Sequence, residues 1–163
     1  MIRIQIADDE ILARFALRTF LEKHFSNIEI IEESKNGKEA VKAALRLNPD
    51  LIVMDVRMPV MDGLEASQEI LSKNPDAVII IVSAYDNFPF LQTAVEIGIR
   101  GYFLKPLNED VVLPKFTSII NYLESTHSDG SKKSNENIDS VKQILVNELI
   151  KLLIQGSDLE TIG

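Results

Sequence analysis

Four short apolar segments of this chain each run into a residue able to do chemistry. Ile2–Ala7 is followed by Asp8 and Asp9, Leu51–Met54 by Asp55, residues 77–82 by Ser83, and Gly101–Leu104 by Lys105 and Pro106. Three carboxylates brought together repel one another and raise one another's pKa unless a cation sits among them. An all-oxygen donor set with few carboxylates suits Mg²⁺, which keeps some of its waters and favours sites that also hold a phosphate. A nearby lysine supplies a point charge for a phosphoryl oxygen, and a serine hydroxyl supplies a hydrogen bond. Together these groups suit phosphoryl transfer onto Asp55, a reaction in which positioning and charge neutralisation are most of the catalysis. Each residue alone has a plainer reading. Asp8 and Asp9 can cap a helix, Asp55 can be a solvated residue leaving a strand, Lys105 can be one more surface lysine, and Ser83 alone says nothing. Only the conjunction at successive strand ends carries weight.

The elements that must position these groups follow from periodicity. Ile2–Ala7, residues 28–31, Leu51–Met54, residues 77–82 and Gly101–Leu104 read as five strands. The first, third and fourth are rich in β-branched residues or nearly continuous in apolar ones, as strands covered on both faces are. Helical spacing separates them. Leu17, Leu21 and Phe25 step by four in the first helix, and Asn36-Gly-Lys-Glu39 reads as the capped start of the second. Gly63–Lys73 reads as the third, residues 87–97 with Gly98 as a stop as the fourth, and residues 108–125 as the fifth, in which Pro114 predicts a shifted start or a kink. Strand–helix alternation repeated five times predicts a doubly wound parallel sheet with helices on both faces. Right-handed crossovers then collect the carboxyl ends of the strands, and with them Asp8, Asp9, Asp55, Ser83 and Lys105, along one edge.

Composition bounds the rest. The chain has 163 residues, 45% apolar and 26% charged, an ordinary globular composition, and no cysteine, which removes thiolate metal sites, thiol nucleophiles and disulfides. Its formal charge of −8 makes it a poor binder of nucleic acid by itself, because phosphate contacts dominate that affinity. The first residues alternate apolar and polar and then turn acidic, unlike a secretory signal, and no apolar run approaches the ~18 residues of a membrane span; a cytoplasmic location is expected. Residues 126–137 hold no large apolar side chain and read as a polar linker. Ile138, Val141, Leu145, Leu149 and Leu152 then recur at helical spacing, so residues 138–163 read as an amphipathic tail helix in need of a partner surface.

Asp8-Asp9, the stretch Pro49-Asp-Leu-Ile-Val-Met-Asp55-Val-Arg-Met-Pro59-Val-Met-Asp-Gly63, Ser83-Ala84 and Gly101-Tyr-Phe-Leu-Lys105-Pro106 strongly resemble the receiver domain of bacterial two-component response regulators. The resemblance spans residues 2 to about 125, so residues 1–125 are expected to be the receiver domain. It implies a flavodoxin-like sheet of strand order 2-1-3-4-5, with Asp55 as the acceptor of a phosphoryl group from a sensor histidine kinase. It implies Mg²⁺ held by Asp8, Asp9, Asp55 and the backbone carbonyl of Arg57, and contacts from Ser83 and Lys105 to phosphoryl oxygens. Ser83 and Tyr102 are then the switch pair, Lys105–Pro106 a cis peptide, and Arg57 and Tyr85, each two residues past a site residue, the side chains that tune the lifetime of the acyl phosphate. The output face implied is the fourth helix, fifth strand and fifth helix. It is one of two candidate homodimer surfaces, the tail helix being the other.

The run from Ser83 to Gly98, with Tyr85, Phe88 and Phe90, resembles receivers joined to AraC-type helix-turn-helix domains. Pro89 departs from that pattern and is expected to reset the start of the fourth helix within its first turn. The tail then reads as the start of a linker to a DNA-binding output domain absent from this chain, the only route by which it would reach DNA. Two other function classes compete. An Mg²⁺-dependent aspartyl phosphohydrolase usually wants a second carboxylate two residues after the nucleophile, where this chain has Arg57. A stand-alone module dimerising through its tail has about two heptads of apolar stripe, short for a coiled coil.

Overall fold

The computed structural model of the protein describes residues 1–84 and 88–128. The chain alternates β1 (Ile2–Ala7), α1 (Ile11–His24), β2 (Ile28–Ser34), α2 (Gly37–Leu47), β3 (Leu51–Met54), α3 (Gly63–Lys73), β4 (Ile79–Ser83), α4 (Phe88–Ile97), β5 (Gly101–Leu104) and α5 (Glu109–Ser128). The strands form one sheet in the order β2-β1-β3-β4-β5, and every adjacent pair is parallel. This is the flavodoxin-like arrangement expected. The central strands alternate between two cores. Leu51 and Val53 of β3 join Ile4, Ile6, Ile80, Val82 and Phe116 in one core with α1 and α5, while Ile52 and Met54 join Ala40, Ile70, Ile79, Ile81 and Leu91 in the other with α2, α3 and α4.

Register sets the working edge. Ala7 pairs with Met54, so the strand ends that precede Asp8 and Asp55 lie level. Met54 pairs with Ile81 and Ile81 with Tyr102, which carries Ser83 and its partner Leu104 two residues further out at the same edge. Local chemistry fixes where the helices start. The Asn36 side chain accepts the Glu39 N–H at 2.9 Å, while the Glu39 carboxylate accepts the Lys35 N–H at 3.2 Å, a reciprocal cap on α2. Asp62 caps α3 by accepting the N–H groups of Leu64 and Glu65. Gly98, at φ +91°, ends α4 in a backbone conformation open to glycine.

Several expected boundaries move. β2 continues three residues past Ile31, and β4 starts at Ile79 and ends on Ser83 itself. Pro89 is the second residue of α4, within the first turn as expected, while Asn87 lies outside the described residues. α5 begins five residues before Pro114, so the proline does not shift its start. The same helix runs on through Ser128, taking in three residues of the segment read as a linker. Side chains hold that end. His127 Nε2 lies 2.9 Å from Asp50 Oδ1, and the hydroxyls of Thr126 and Ser128 donate to the carbonyls of Leu123 and Glu124. The tail helix expected over residues 138–163 lies outside the described residues.

Candidate functional site

β1 delivers Asp8 and Asp9 to the sheet edge and β3 delivers Asp55. One carboxylate oxygen from each lies within 4.8 Å of the other two. Asp8 and Asp55 are buried and Asp9 is exposed, so the cluster opens to solvent on one side. Asp8 does not cap α1. That helix starts after Glu10 with no side-chain cap, and Asp8 instead accepts the Glu10 N–H at 2.9 Å. The backbone on either side is fixed as well: the Asp8 N–H donates to the Ser34 carbonyl at 3.0 Å, and Arg14 Nη1 donates to the Asp8 carbonyl at 2.7 Å.

The loop after β3 aims Asp55. Its N–H donates to the Ala7 carbonyl at 2.8 Å, and its Oδ1 accepts the Val56 N–H at 2.9 Å. Gly63 donates to the Val56 carbonyl at 2.7 Å, and a Cβ there would lie 1.8 Å from the Asp55 carbonyl oxygen. Gly37 is confined in the same way from α2: it donates to the Met61 carbonyl at 3.0 Å, and its Cβ would lie 2.3 Å from that oxygen. The loop is thus gripped by two glycines, Gly63 of its own motif and Gly37 at the start of α2, whose roles residue type alone does not disclose. Val60 in the same loop has φ +72°, an outlying conformation for a β-branched residue.

Lys105 arrives from β5. Its Nζ is 2.6 Å from Asp8 Oδ2 and 3.8 Å from Asp55 Oδ2, and its N–H donates to the Ser83 carbonyl at 2.8 Å. The Lys105–Pro106 peptide is cis. Burial is the main influence on Asp55. It pushes the carboxyl up from 3.8 to about 6, with Lys105 pulling it down and the charges of Asp8 and Asp9 adding to the rise. Burial disfavours the Lys105 ammonium, yet the hydrogen bond to Asp8 and the charge of Asp55 outweigh it and hold this lysine above its ordinary value.

The structure therefore gathers Asp8, Asp9, Asp55 and Lys105 at one point. Ser83 is fully buried at the end of β4 and Tyr102 is buried in β5, within the core beneath α2, α3 and α4. Arg57 is exposed, and Tyr85 lies outside the described residues. No helix among the described residues is long and apolar enough to cross a membrane.

A five-stranded parallel sheet in this order, with an acid cluster and a lysine at its carboxyl edge, is the architecture of a receiver. The sequence profile of the response regulator receiver domain matches residues 4–116, and the chain belongs to that family. It is 34% identical over 113 residues to the chemotaxis protein CheY of Listeria monocytogenes, covering 69% of this chain and 93% of that one. It is 27% identical to the uncharacterized transcriptional regulatory protein YesN of Bacillus subtilis over 96% of this chain, and 33% identical to the transcriptional regulatory protein LnrK of the same species over 69%. The match spans 43% of YesN and 51% of LnrK, about half of these longer proteins. Among solved structures, the REC domain of AraT, a response regulator from Geobacillus stearothermophilus, superposes with a TM-score of 0.69 at 30% identity, covering 77% of this chain and 97% of that one.

Proposed function

We propose that Asp55 is the phosphoacceptor of this receiver and that a sensor histidine kinase is its donor. The observation that carries the reading is the convergence of Asp8, Asp9 and Asp55 within 4.8 Å, with Lys105 bridging Asp8 and Asp55 from one side. An Asp55 oxygen attacks the phosphorus of the donor phosphohistidine; the P–O bond forms, the P–N bond breaks, and the imidazole leaves with its electron pair. The donor set fits Mg²⁺: all oxygen, three carboxylates, open to solvent at Asp9, with Asp8 and Asp9 each adding to the charge that a cation would relieve at Asp55. Asp8, Asp9, Asp55 and the Arg57 carbonyl would hold the ion, which when bound neutralises charge on the incoming phosphoryl group.

Lys105 and Ser83 contact the phosphoryl oxygens in this reading, and Ser83 with Tyr102 carries the change to α4, β5 and α5. Arg57 and Tyr85 set how fast water removes the group. The chain is a regulatory phosphoacceptor rather than a turnover enzyme, and it works in the cytoplasm. Residues 1–125 are its receiver unit, residues 126–137 a linker and residues 138–163 a helix leading to a DNA-binding output domain of AraC type. The resemblance of the α4 region to that class supports the AraC type, and the matches to transcriptional regulatory proteins support a transcriptional output. Homodimerisation, through α4, β5 and α5 or through the tail, is the output mode proposed.

The test is labelling with acetyl phosphate and Mg²⁺, read by intact mass and by NMR. The wild-type chain takes one phosphoryl group and Asp55→Asn takes none. A fully labelled Asp55→Asn protein, or one showing the full spectral response to beryllofluoride, refutes the assignment.

A further inference from the structure

Every polar group of Asp8 is held. Its N–H donates to the Ser34 carbonyl at 3.0 Å, Oδ1 accepts the Glu10 N–H at 2.9 Å, and Oδ2 lies 2.6 Å from Lys105 Nζ. The remaining group, the carbonyl, accepts Arg14 Nη1 at 2.7 Å. Asp9 differs. It is exposed, and among the described residues its carboxylate has no hydrogen-bond partner, so the backbone that carries it is what aims it.

Arg14 holds that backbone. The Asp8 carbonyl and the Asp9 N–H belong to one planar peptide unit, so a bond to the carbonyl fixes the plane from which Asp9 departs. α1 starts at Ile11 on a Glu10 cap that makes no side-chain bond, and helical side chains lean toward the N-terminus of their own helix. A long side chain at position 14 therefore reaches back past Glu10 to Asp8, while the Arg14 N–H donates to the Glu10 carbonyl at 3.1 Å. The guanidinium contact is short and charge-assisted. Arg14 Nε is buried without a partner, so among the described residues the Asp8 carbonyl is the one hydrogen-bond partner of this side chain. An N–H shut away from water unbonded is unfavourable, and a solvated rotamer would relieve it. The side chain stays at the carbonyl regardless.

We propose that Arg14 is a positioning residue for the Mg²⁺ site, setting through the Asp8–Asp9 peptide the direction in which Asp9 meets the ion. The role rests on the reading of Asp8, Asp9 and Asp55 as that site. Charge and position predict opposite signs. A cation beside a cation site repels the ion, so deleting a mere charge tightens Mg²⁺ binding. Deleting a clamp loosens it, because Mg²⁺ demands near-octahedral geometry and losing a group that orients its ligands typically costs about 10–100-fold in affinity. Mg²⁺ titrations of the full chain without phosphodonor, followed by amide NMR shifts, measure the difference. Arg14→Met is expected to bind Mg²⁺ about 10-fold more weakly. Arg18→Met, one turn further along α1 and stripped of its pairs with Glu22 and Glu33, keeps the wild-type affinity. In chelator, the Asp8 carbonyl carbon of Arg14→Met moves upfield as its hydrogen bond is lost. Should Arg14→Met fail to fold, Arg14→Gln, shorter by two bonds, decides in its place. Unchanged or tighter binding in Arg14→Met, an equal loss in Arg18→Met, or an unmoved Asp8 carbonyl carbon overturns the role and leaves the reading of the acid cluster standing. A wild-type chain with no saturable response to Mg²⁺ overturns both.

Discussion

Replacing Asp55 with asparagine is expected to make the metal-free protein more stable at neutral pH while abolishing its proposed chemistry. Asp55 is 8% exposed, and burial, the chief cause, lifts its carboxyl from 3.8 to about 6. A group whose folded pKa is raised favours the fold most below its unfolded pKa, and that advantage is lost as pH climbs through the folded value. The interval from 3.8 to about 6, at ~1.36 kcal/mol per pH unit, corresponds to a cost of about 3 kcal/mol once Asp55 is fully ionised. Asparagine has no such ionisation, and its side-chain oxygen can still accept the Val56 N–H that Asp55 Oδ1 accepts. Lys105 keeps Asp8 at 2.6 Å. The variant should therefore gain about 2–3 kcal/mol at pH 8 and melt about 5–10 °C higher, with almost no difference near pH 4. Urea and thermal unfolding of both proteins in a chelator, at half-unit steps from pH 4 to 8, measure this directly. A variant no more stable than wild type at pH 8, or a difference of one size across the range, refutes the reasoning.

Three further outcomes follow from the loop that aims Asp55. Val60 is 76% exposed at φ +72°, so Val60→Asn gives up little packing, relieves a left-handed strain of about 1–2 kcal/mol and should raise the melting temperature by a few degrees; an unchanged or lower value contradicts the strain. Gly63→Ala drives a methyl against the Asp55 backbone, costing about 3 kcal/mol and Asp55 labelling together, and a stable, labelled variant shows that the loop can yield. Arg57→Ala should shorten the acyl-phosphate lifetime measured by release of inorganic phosphate, and an equal lifetime removes Arg57 from the proposed tuning role.

How far the structure was legible depended on how directly each feature is written in side-chain type. β1, β3 and β5 match the expected bounds because buried strands read as apolar runs with sharp ends. β2 is an edge strand whose outer residues Glu32 and Glu33 hide its last turn of pairing from a hydrophobic pattern. The end of α5 was missed for a related reason. Thr126, His127 and Ser128 bring no apolar signal, and the helix is held there by hydrogen bonds and by Asp50, 77 positions away in sequence. The acid cluster was legible because each carboxylate follows a strand. Four supports were not: Gly63, Gly37, Arg14 and the Ser83 carbonyl act through backbone contacts that arise only once β1, β3, α2 and β5 are side by side.

With Asp55 as the proposed phosphoacceptor, Lys105 is the group through which charge at this edge would become movement. It stands between two carboxylates at unequal distances, 2.6 Å from Asp8 and 3.8 Å from Asp55. A phosphoryl group on Asp55 brings about two negative charges and three strong acceptors to the farther side, so the ammonium gains by leaning away from Asp8. Its own N–H is bonded to the Ser83 carbonyl, and Ser83 is paired with Leu104, so that motion is felt at the ends of β4 and β5. The equilibrium can move only by the difference in affinity between the two arrangements. Reversing a 99:1 preference takes ~5.5 kcal/mol, which two or three charge-assisted hydrogen bonds of about 1.5–3 kcal/mol can supply. Lys105→Met should then still accept a phosphoryl group on Asp55, more slowly, while NMR shift changes along β4, β5 and α4 shrink toward those of the unlabelled protein. If the methionine variant, once labelled, shows the full wild-type pattern of shifts, the lysine is not the link and the signal leaves Asp55 by another route.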